Sequence, residues 1–125
     1  MPNKINIAFQ GEQGAYSHLA SLEVFPGAKI KSCSTFEELF QLANEDLGYK
    51  IMIPIENSLA GRVADIHYLI PKYKLQIHAE HFQKVSHNLL GLKGAKIKDI
   101  KNVRSHSQAL GQCRKIILEN NLKEI

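Results

Sequence analysis

Hydrophobic and polar positions alternate along the chain in a pattern that predicts strands and helices in turn. The apolar run Ile5–Phe9 precedes Gln10-Gly11 and predicts a buried strand. Apolar residues at near-helical spacing over 15–24 predict a helix that ends before Pro26-Gly27. Residues 29–33 then alternate as a short strand does.

The same alternation continues through the middle of the chain. Ser34 or Thr35 begins the next predicted helix, because each has a glutamate three residues later, which is the spacing of a capping box. Residues 49–55 include an apolar run short enough to be a strand buried on both faces. Residues 62–70 predict a helix that ends at Pro71.

The last part of the chain predicts less regular structure. Residues 75–92 indicate a long extended stretch, and residues 96–100 allow one helical turn. Residues 102–104 predict a short strand. Ser105 has a glutamine at capping-box spacing, so it is the predicted N-cap of the next helix. The apolar stripe of that helix continues to about Asn120.

Strands that alternate with helices are typical of an α/β fold with a mainly parallel sheet. The 125 residues allow one ordinary domain or two small lobes. Residues 122–125 would begin a further strand, so the second α/β unit looks incomplete.

The composition indicates a packed chain in a reducing compartment. Hydrophobic residues make up 44% and charged residues 22% of the sequence, close to average usage. No apolar run approaches the roughly 18 residues of a membrane span, and the N-terminus lacks the apolar core of a signal peptide. Cys33 and Cys113 do not make a disulfide framework. We therefore expect a cytoplasmic protein that has no membrane partner.

Positive charge is concentrated in the second half of the chain. Residues 1–63 carry five Lys/Arg and seven Asp/Glu, whereas residues 64–125 carry eleven and five. The lysine cluster within residues 93–101 has no interleaved aromatic side chains that would stack on bases. A solvated lysine face is therefore favoured over nucleic acid binding, and a small anionic substrate is a second use of this potential.

Three polar clusters each follow a predicted strand and precede a predicted helix, which is where open α/β sheets bind ligands. In the first, two glycines let the backbone approach a ligand, and N–H groups at the helix start favour anions. The cluster lacks the lysine of a phosphate loop and the third glycine of a dinucleotide fingerprint, so an ordinary tight turn stays an alternative. Its candidate binding residues are Gly11, Gly14, Ala15, Tyr16 and Ser17.

The second cluster, Pro54–Arg62, combines a carboxylate, an amide, a hydroxyl, a glycine and a guanidinium within a few residues. Capping of the following helix by Asn57 or Ser58 explains one of these groups but not the whole set. The candidate site residues of this cluster are Glu56, Asn57, Ser58, Leu59, Ala60, Gly61 and Arg62.

The third cluster lies between 104 and 112. Ser105 has the position of an N-cap, which is a structural role. Gln108 and Gln112 are four residues apart, so they share one helix face and can meet a common ligand. The candidate site residues of this cluster are Ser105, His106, Gln108 and Gln112.

Metal and nucleophile chemistry are not favoured. His78 and His81 would point to opposite faces of an extended stretch, and no cysteine or carboxylate pair completes a zinc site at familiar spacing. Cys113 lies on the apolar stripe of a predicted helix, so a small buried hydrophobe is favoured over a nucleophile.

Together the three clusters resemble those of prephenate dehydratases. The motifs that carry the resemblance are Gly11–Ser17, Pro54–Gly61 and Ser105–Cys113, in the order and spacing of that family's catalytic domain. The second motif is the most specific. Gln13 and Ser107 replace prolines that many relatives have, which are loop changes.

The resemblance implies an enzyme that converts prephenate to phenylpyruvate, water and carbon dioxide in phenylalanine biosynthesis, with no metal and no organic cofactor. It also implies a two-lobed α/β domain like that of periplasmic binding proteins, with the substrate between the lobes. On that basis residues 1–78 are assigned to the first lobe and residues 79–125 to a hinge and an incomplete second lobe. Periodicity places the first-lobe core at Phe9, Leu19, Leu22, Phe36, Leu39, Phe40, Ile51, Ile53, Val63, Ile66 and Leu69.

Neutral donors suit this reaction, because they orient the substrate without neutralising the carboxylate that must leave. Glu56, a member of the catalytic set, is assigned either to support the residues that touch the substrate or to bridge the lobes, since a bare carboxylate repels a dicarboxylate. Arg62 is able either to hold a substrate carboxylate or to lie on a helix surface. The assigned donors, expected to face one cleft with the Gly11–Ser17 loop, are Asn57, Ser58, Ser105 and Gln112.

One motif of the family is absent. The family's Thr-Arg-Phe sequence, whose threonine is its best candidate proton donor, does not occur here, and Thr35 is the one threonine present. We therefore expect the chain alone to be an inactive fragment that forms a homo-oligomer through uncovered strand edges. The alternative function is a non-catalytic module of the same fold that binds a small anion.

Overall fold

The computed structural model describes residues 4–58 and 61–125. These residues divide into two compact units, a first unit that ends at Lys84 and a second unit, Val85–Ile125. The division between the units falls after residue 84, and the predicted lobe boundary after residue 78 stays a prediction. The assignment of the two units to lobes of a periplasmic-binding-protein-like domain stays a prediction.

A parallel sheet of three strands is the centre of the first unit. Strands β1 (Asn6–Gln10), β2 (Lys29–Cys33) and β3 (Tyr49–Met52) lie in the order β2-β1-β3. Helices α1 (Tyr16–Val24) and α2 (Phe36–Glu45) make the crossovers that parallel pairing requires. The mixed α/β character and the mainly parallel sheet of the sequence prediction are confirmed.

The start of α2 shows which of two possible caps the chain uses. Thr35 Oγ1 accepts the backbone N–H of Glu38 at 3.1 Å, so Thr35 is the N-cap. The Glu38 carboxylate accepts the backbone N–H of Ser34 at 2.9 Å. The reciprocal bond therefore reaches one residue further back than in a standard capping box.

Helix α3 (Ala64–Tyr73) begins and ends later than the sequence predicts. Arg62 does not belong to it, because Gly61–Arg62 forms strand β5, antiparallel to β4 (Glu56–Asn57). Pro71 does not end the helix but lies in its last turn, which closes at Lys74 with a left-handed φ of 53°.

The core of the first unit consists of two clusters that share helix α2. Ala8, Cys33 and Leu39 form one of them. The second cluster is Phe40, Ile66 and Leu69. Among the other predicted core residues, Phe9 is buried. Four more are half-buried and pack at the margins of the two clusters: Phe36, Ile51, Ile53 and Val63.

The prediction that two leucines of α1 belong to the core is wrong. Leu19 and Leu22 of α1 are 41% and 46% exposed. The buried side of this helix consists instead of Ala20 and Ser21, whose small side chains allow the helix to approach its surroundings closely. Ser21 is accommodated because its hydroxyl donates to the carbonyl of Ser17 at 2.7 Å.

The second unit is built on a short parallel strand pair. Strands β6 (Asn102–Val103) and β7 (Lys123–Glu124) pair in parallel, which confirms both predicted strands in this region. Helices α4 (Ser107–Gln112) and α5 (Arg114–Glu119) connect them. The sequence predicts one continuous helix here, but the chain bends at Cys113, whose N–H is shared between two carbonyls.

The stretch between α3 and β6 is mostly irregular. It contains one 3-10 turn, Ile97–Asp99, where the sequence predicts a helical turn. Residues 75–96 contain neither helix nor strand, so their partial alternation is not that of a paired strand. Within the first unit, Nε2 of His81 lies 3.4 Å from the Glu23 carboxylate, so this part of the stretch contacts α1.

Candidate active site

The first polar cluster begins where β1 ends. The Gly11 N–H donates to the Cys33 carbonyl at 3.0 Å, and the Ser32 hydroxyl donates to the Gly11 carbonyl, so β2 holds the start of the loop. Gly11 and Gly14 have φ values of 125° and 91°, which side-chain-bearing residues rarely adopt. The two glycines thus let the chain turn at once from the strand to α1.

His18 fixes the other end of this loop, and the sequence analysis missed it. Its Nδ1 accepts the backbone N–H of Gly14 at 2.9 Å. Its ring is stacked on Phe9 at a centroid separation of 5.3 Å. A histidine four residues after a loop glycine was the available signal. Ala15 is the N-cap and makes no side-chain cap bond, and Tyr16 and Ser17 belong to the first turn of α1.

The second polar cluster is built on the pair of strands β4 and β5. Glu56 lies opposite Arg62, and Asn57 lies opposite Gly61, whose φ of 81° suits glycine. Asn57 is half-buried, whereas Glu56, Ser58, Gly61 and Arg62 are exposed. Because α3 begins at Ala64, capping by Asn57 or Ser58 is wrong. The predicted site residues Leu59 and Ala60 lie outside the described residues.

The first and second clusters follow neighbouring strands. β1 and β3 are adjacent and parallel, with Phe9 opposite Met52. Their carboxyl ends therefore lie at the same edge of the sheet, where ligands bind in α/β folds. The loop at Gly11 and the segment leading to Glu56 both leave the sheet at this edge.

The third polar cluster lies in the second unit, between β6 and α4. His106, not Ser105, is the N-cap of α4, because the His106 ring Nδ1 accepts the backbone N–H of Gln108 at 3.3 Å. The predicted capping role of Ser105 is therefore wrong. Ser105, His106 and Gln108 are exposed and Gln112 is half-buried. Gln112 Oε1 lies 2.7 Å from Nε2 of His87, a second residue that the sequence analysis missed.

Of the two cysteines, Cys33 is adjacent to the first cluster through its carbonyl. Burial raises the pKa of its thiol, the Glu38 carboxylate raises it further, and Lys31 opposes the effect. Cys33 is therefore a protonated core residue at neutral pH rather than a nucleophile.

The described parts of the chain contain no group of three or more His, Cys, Asp or Glu side chains placed to hold a metal ion. Across residues 4–58 and 61–125, no helix is long and apolar enough to cross a membrane. Apart from Glu56, Arg62 and His106, the described candidate residues offer backbone N–H groups, amides and hydroxyls. These groups bind oxyanions and carbonyl oxygens without neutralising them.

Comparison with known proteins gives the family. The family model for prephenate dehydratase matches residues 7–125. The chain is 43% identical over 119 residues to a bifunctional N-acyl-homoserine lactone acylase/prephenate dehydratase of Komagataeibacter europaeus, a match that covers 95% of this chain and 42% of that protein. It is also 43% identical over 111 residues to the chloroplastic arogenate dehydratase/prephenate dehydratase 1 of Arabidopsis thaliana, covering 89% and 28%.

A solved structure has the same fold. It is described as GqqA, a novel type of quorum-quenching acylase, and it matches with a TM-score of 0.77 and 42% identity. The match covers 96% of this chain and 44% of that one. The chain thus spans less than half the length of these relatives, and over the span they share it belongs to the prephenate dehydratase family.

Proposed function

We propose that this chain supplies the substrate-binding residues of a prephenate dehydratase, which makes phenylpyruvate for phenylalanine biosynthesis. The observation that carries the proposal is the common sheet edge at which the Gly11 loop and the segment leading to Glu56 emerge. Both clusters belong to the region that the family model matches. The four assigned donors are neutral, which suits a dicarboxylate whose ring carboxylate must leave.

The reaction needs little covalent chemistry from the protein. The bond between the ring and its carboxylate breaks, and its electron pair enters the ring as carbon dioxide departs. The ring then expels its hydroxyl, which takes up one proton and leaves as water. Aromatisation drives both bond cleavages, so the site must hold the carboxylate in line, direct a donor at the hydroxyl and exclude water.

The proposed donors divide between the two units. Asn57 and Ser58 belong to the first unit, and Ser105 and Gln112 to the second. We propose that they meet one substrate molecule in a cleft of a two-lobed domain. Glu56 lies across from Arg62 in the β4–β5 pair. In this proposal Arg62 offsets the repulsion that the Glu56 carboxylate exerts on an anionic substrate.

We further propose that these 125 residues bind the substrate without turning it over. Their one threonine, Thr35, uses its hydroxyl to cap α2 through Glu38 N. It is followed by Phe36 and Glu37 rather than by Arg-Phe, so it is not the threonine of the family's Thr-Arg-Phe motif. Binding without turnover is also what the alternative function, a non-catalytic anion-binding module of the same fold, would show.

Self-association is a further part of the proposal. In the second unit Leu90 and Leu92 are 87% and 88% exposed, which leaves apolar surface that a partner could cover. A second copy of the chain is one way to cover them. Light scattering over a range of concentrations distinguishes an oligomer from a monomer.

The names of the relatives define two further substrates to test. Arogenate dehydratases act on a substrate that carries an amine where prephenate has a keto oxygen, and one such relative is 43% identical to this chain. The name of the Komagataeibacter europaeus relative includes an N-acyl-homoserine lactone acylase, which adds acyl-homoserine lactones as the second class. Prephenate remains the first choice because the family model is that of prephenate dehydratase.

Titration calorimetry with prephenate, arogenate and an acyl-homoserine lactone tests the proposal, combined with an assay for phenylpyruvate. We expect binding of prephenate and no turnover. Asn57→Ala should weaken binding by about 10-fold, since it removes a hydrogen bond to a charged ligand. Asn44→Ala, on an exposed position of α2, is the matched control and should bind as the unmodified chain does. Binding of none of the three ligands would contradict the proposal.

A further inference from the structure

Gln112 makes its contact through the oxygen end of its side-chain amide. Gln112 Oε1 lies 2.7 Å from His87 Nε2. An amide oxygen only accepts hydrogen bonds, so the imidazole must donate its Nε2–H. His87 lies in the irregular stretch before the 3-10 turn, whereas Gln112 is the last residue of α4. The bond therefore connects the side chain of a helix end to a segment 25 residues earlier.

We propose that His87 is a positioning residue that fixes the Gln112 amide with its NH2 end toward the substrate. The inference rests on the proposed function, in which Gln112 binds prephenate. A glutamine amide has a donor end and an acceptor end, and a half-turn about its last bond exchanges them. The carboxylates and the keto oxygen of prephenate accept hydrogen bonds. The amide must therefore present its NH2 group to them, because its oxygen would repel them.

Histidine suits this role because of where its protons lie. The imidazolium form carries Nε2–H, and so does one of the two neutral tautomers. The other neutral tautomer would accept from the amide and would favour the reverse orientation. The proposal thus requires that neutral His87 is the Nε2–H tautomer. This requirement can be measured without any substrate.

Nitrogen-15 NMR of the 125-residue chain tests the hydrogen bond first. In the neutral ring of His87 we expect the proton on Nε2 and none on Nδ1, which the nitrogen-15 shifts of the two ring nitrogens distinguish. A neutral ring protonated at Nδ1 would overturn the proposal. This result does not depend on whether the chain binds prephenate, so it separates the positioning contact from the proposed function.

Prephenate binding by four variants tests the role of the bond. His87→Ala should bind about 10-fold more weakly, because the amide loses its fixed orientation toward a charged ligand. His87→Gln should restore most of the affinity, since its NH2 group reaches the position of Nε2–H. His78→Ala, at another exposed histidine, is the control and should bind as the unmodified chain does.

Gln112→Ala is the fourth variant, and it shows whether the positioning role of His87 or the proposed site is wrong. If Gln112→Ala weakens binding and His87→Ala does not, the positioning role is wrong and the proposed site stands. If the unmodified chain does not bind prephenate, the proposed function fails and the role of His87 in that reaction fails with it.

Discussion

The backbone N–H of Gly14 donates to the ring Nδ1 of His18 at 2.9 Å. A side chain in the first turns of α1 thus holds the loop that leads into that helix. The same ring is stacked on Phe9 at 5.3 Å, and Phe9 is 1% exposed. The loop glycine is therefore connected to the buried sheet through one imidazole.

Replacement of His18 should separate the hydrogen bond from the stacking contact. His18→Leu keeps apolar contact with Phe9 but has no acceptor, so the Gly14 amide should exchange its proton faster. His18→Asn places an oxygen near the position of Nδ1 and should keep the amide protected. Hydrogen exchange followed by NMR measures both. Equal protection of Gly14 in the two variants would show that the hydrogen bond does not hold the loop.

The conformation of Gly14 predicts a specific cost for alanine. At φ 91° a side chain would meet no atom within 4 Å, so the cost of Gly14→Ala arises from the backbone alone. We expect a loss of about 1 to 2 kcal/mol in the free energy of unfolding. Gly111→Ala is the matched control, because Gly111 lies within α4 and also has open space around it. It should be neutral or stabilising by up to about 1 kcal/mol. A urea melt compares the two, and equal losses would contradict the prediction.

Two leucines that the sequence placed in the core should respond differently to truncation. Leu39 is fully buried, and Leu39→Ala should lower the free energy of unfolding by about 2 to 5 kcal/mol. Leu22 is 46% exposed, and Leu22→Ala should cost less than about 1 kcal/mol. Chemical denaturation of both variants tests the burial pattern. A larger loss for Leu22→Ala than for Leu39→Ala would mean that α1 faces the sheet differently.

This contrast shows how far periodicity determines the fold. In α2 the apolar spacing predicts the buried face correctly, because Leu39, Phe40 and Ala43 contact the core. In α1 the apolar residues are not on one face, and the small residues Ala20 and Ser21 are buried instead. Burial of a serine depends on its bond to the Ser17 carbonyl, which hydropathy does not encode.

Cys33 should be protected from alkylation and should make stability depend on pH in alkali. Burial and Glu38 raise the pKa of its thiol above the ordinary value of 9.0. The unfolded chain therefore loses this proton first as pH rises. The stabilisation is complete below the unfolded pKa and is lost as pH rises through the folded pKa. Urea midpoints from about pH 8 to about pH 11 should fall less in Cys33→Ala than in Cys113→Ala. The same fall in both variants would exclude Cys33 as its source.

Iodoacetamide at about pH 8 should modify the half-buried Cys113 before Cys33.

The positions of the three site clusters could be predicted from the sequence because each cluster follows the end of a strand. The clusters at Gly11, Glu56 and Ser105 were recognisable because polar residues interrupt apolar runs. The position of His18 four residues after Gly14 was a signal, but spacing alone does not determine the contacts of His18 and His87, because each depends on where a ring nitrogen lies in space. The cap at His106 was missed for a related reason. Sequence rules favour the hydroxyl of Ser105, but the backbone enters the helix one residue later.

One measurement tests directly our proposal that residues of both units bind the same prephenate molecule. The chain is labelled with nitrogen-15 and titrated with prephenate while the amide signals of Gly14, Asn57 and Gln112 are followed. We expect all three signals to shift along one saturation curve, with a single dissociation constant and one ligand per chain. Shifts confined to one unit, or separate saturation curves for the two units, would contradict it.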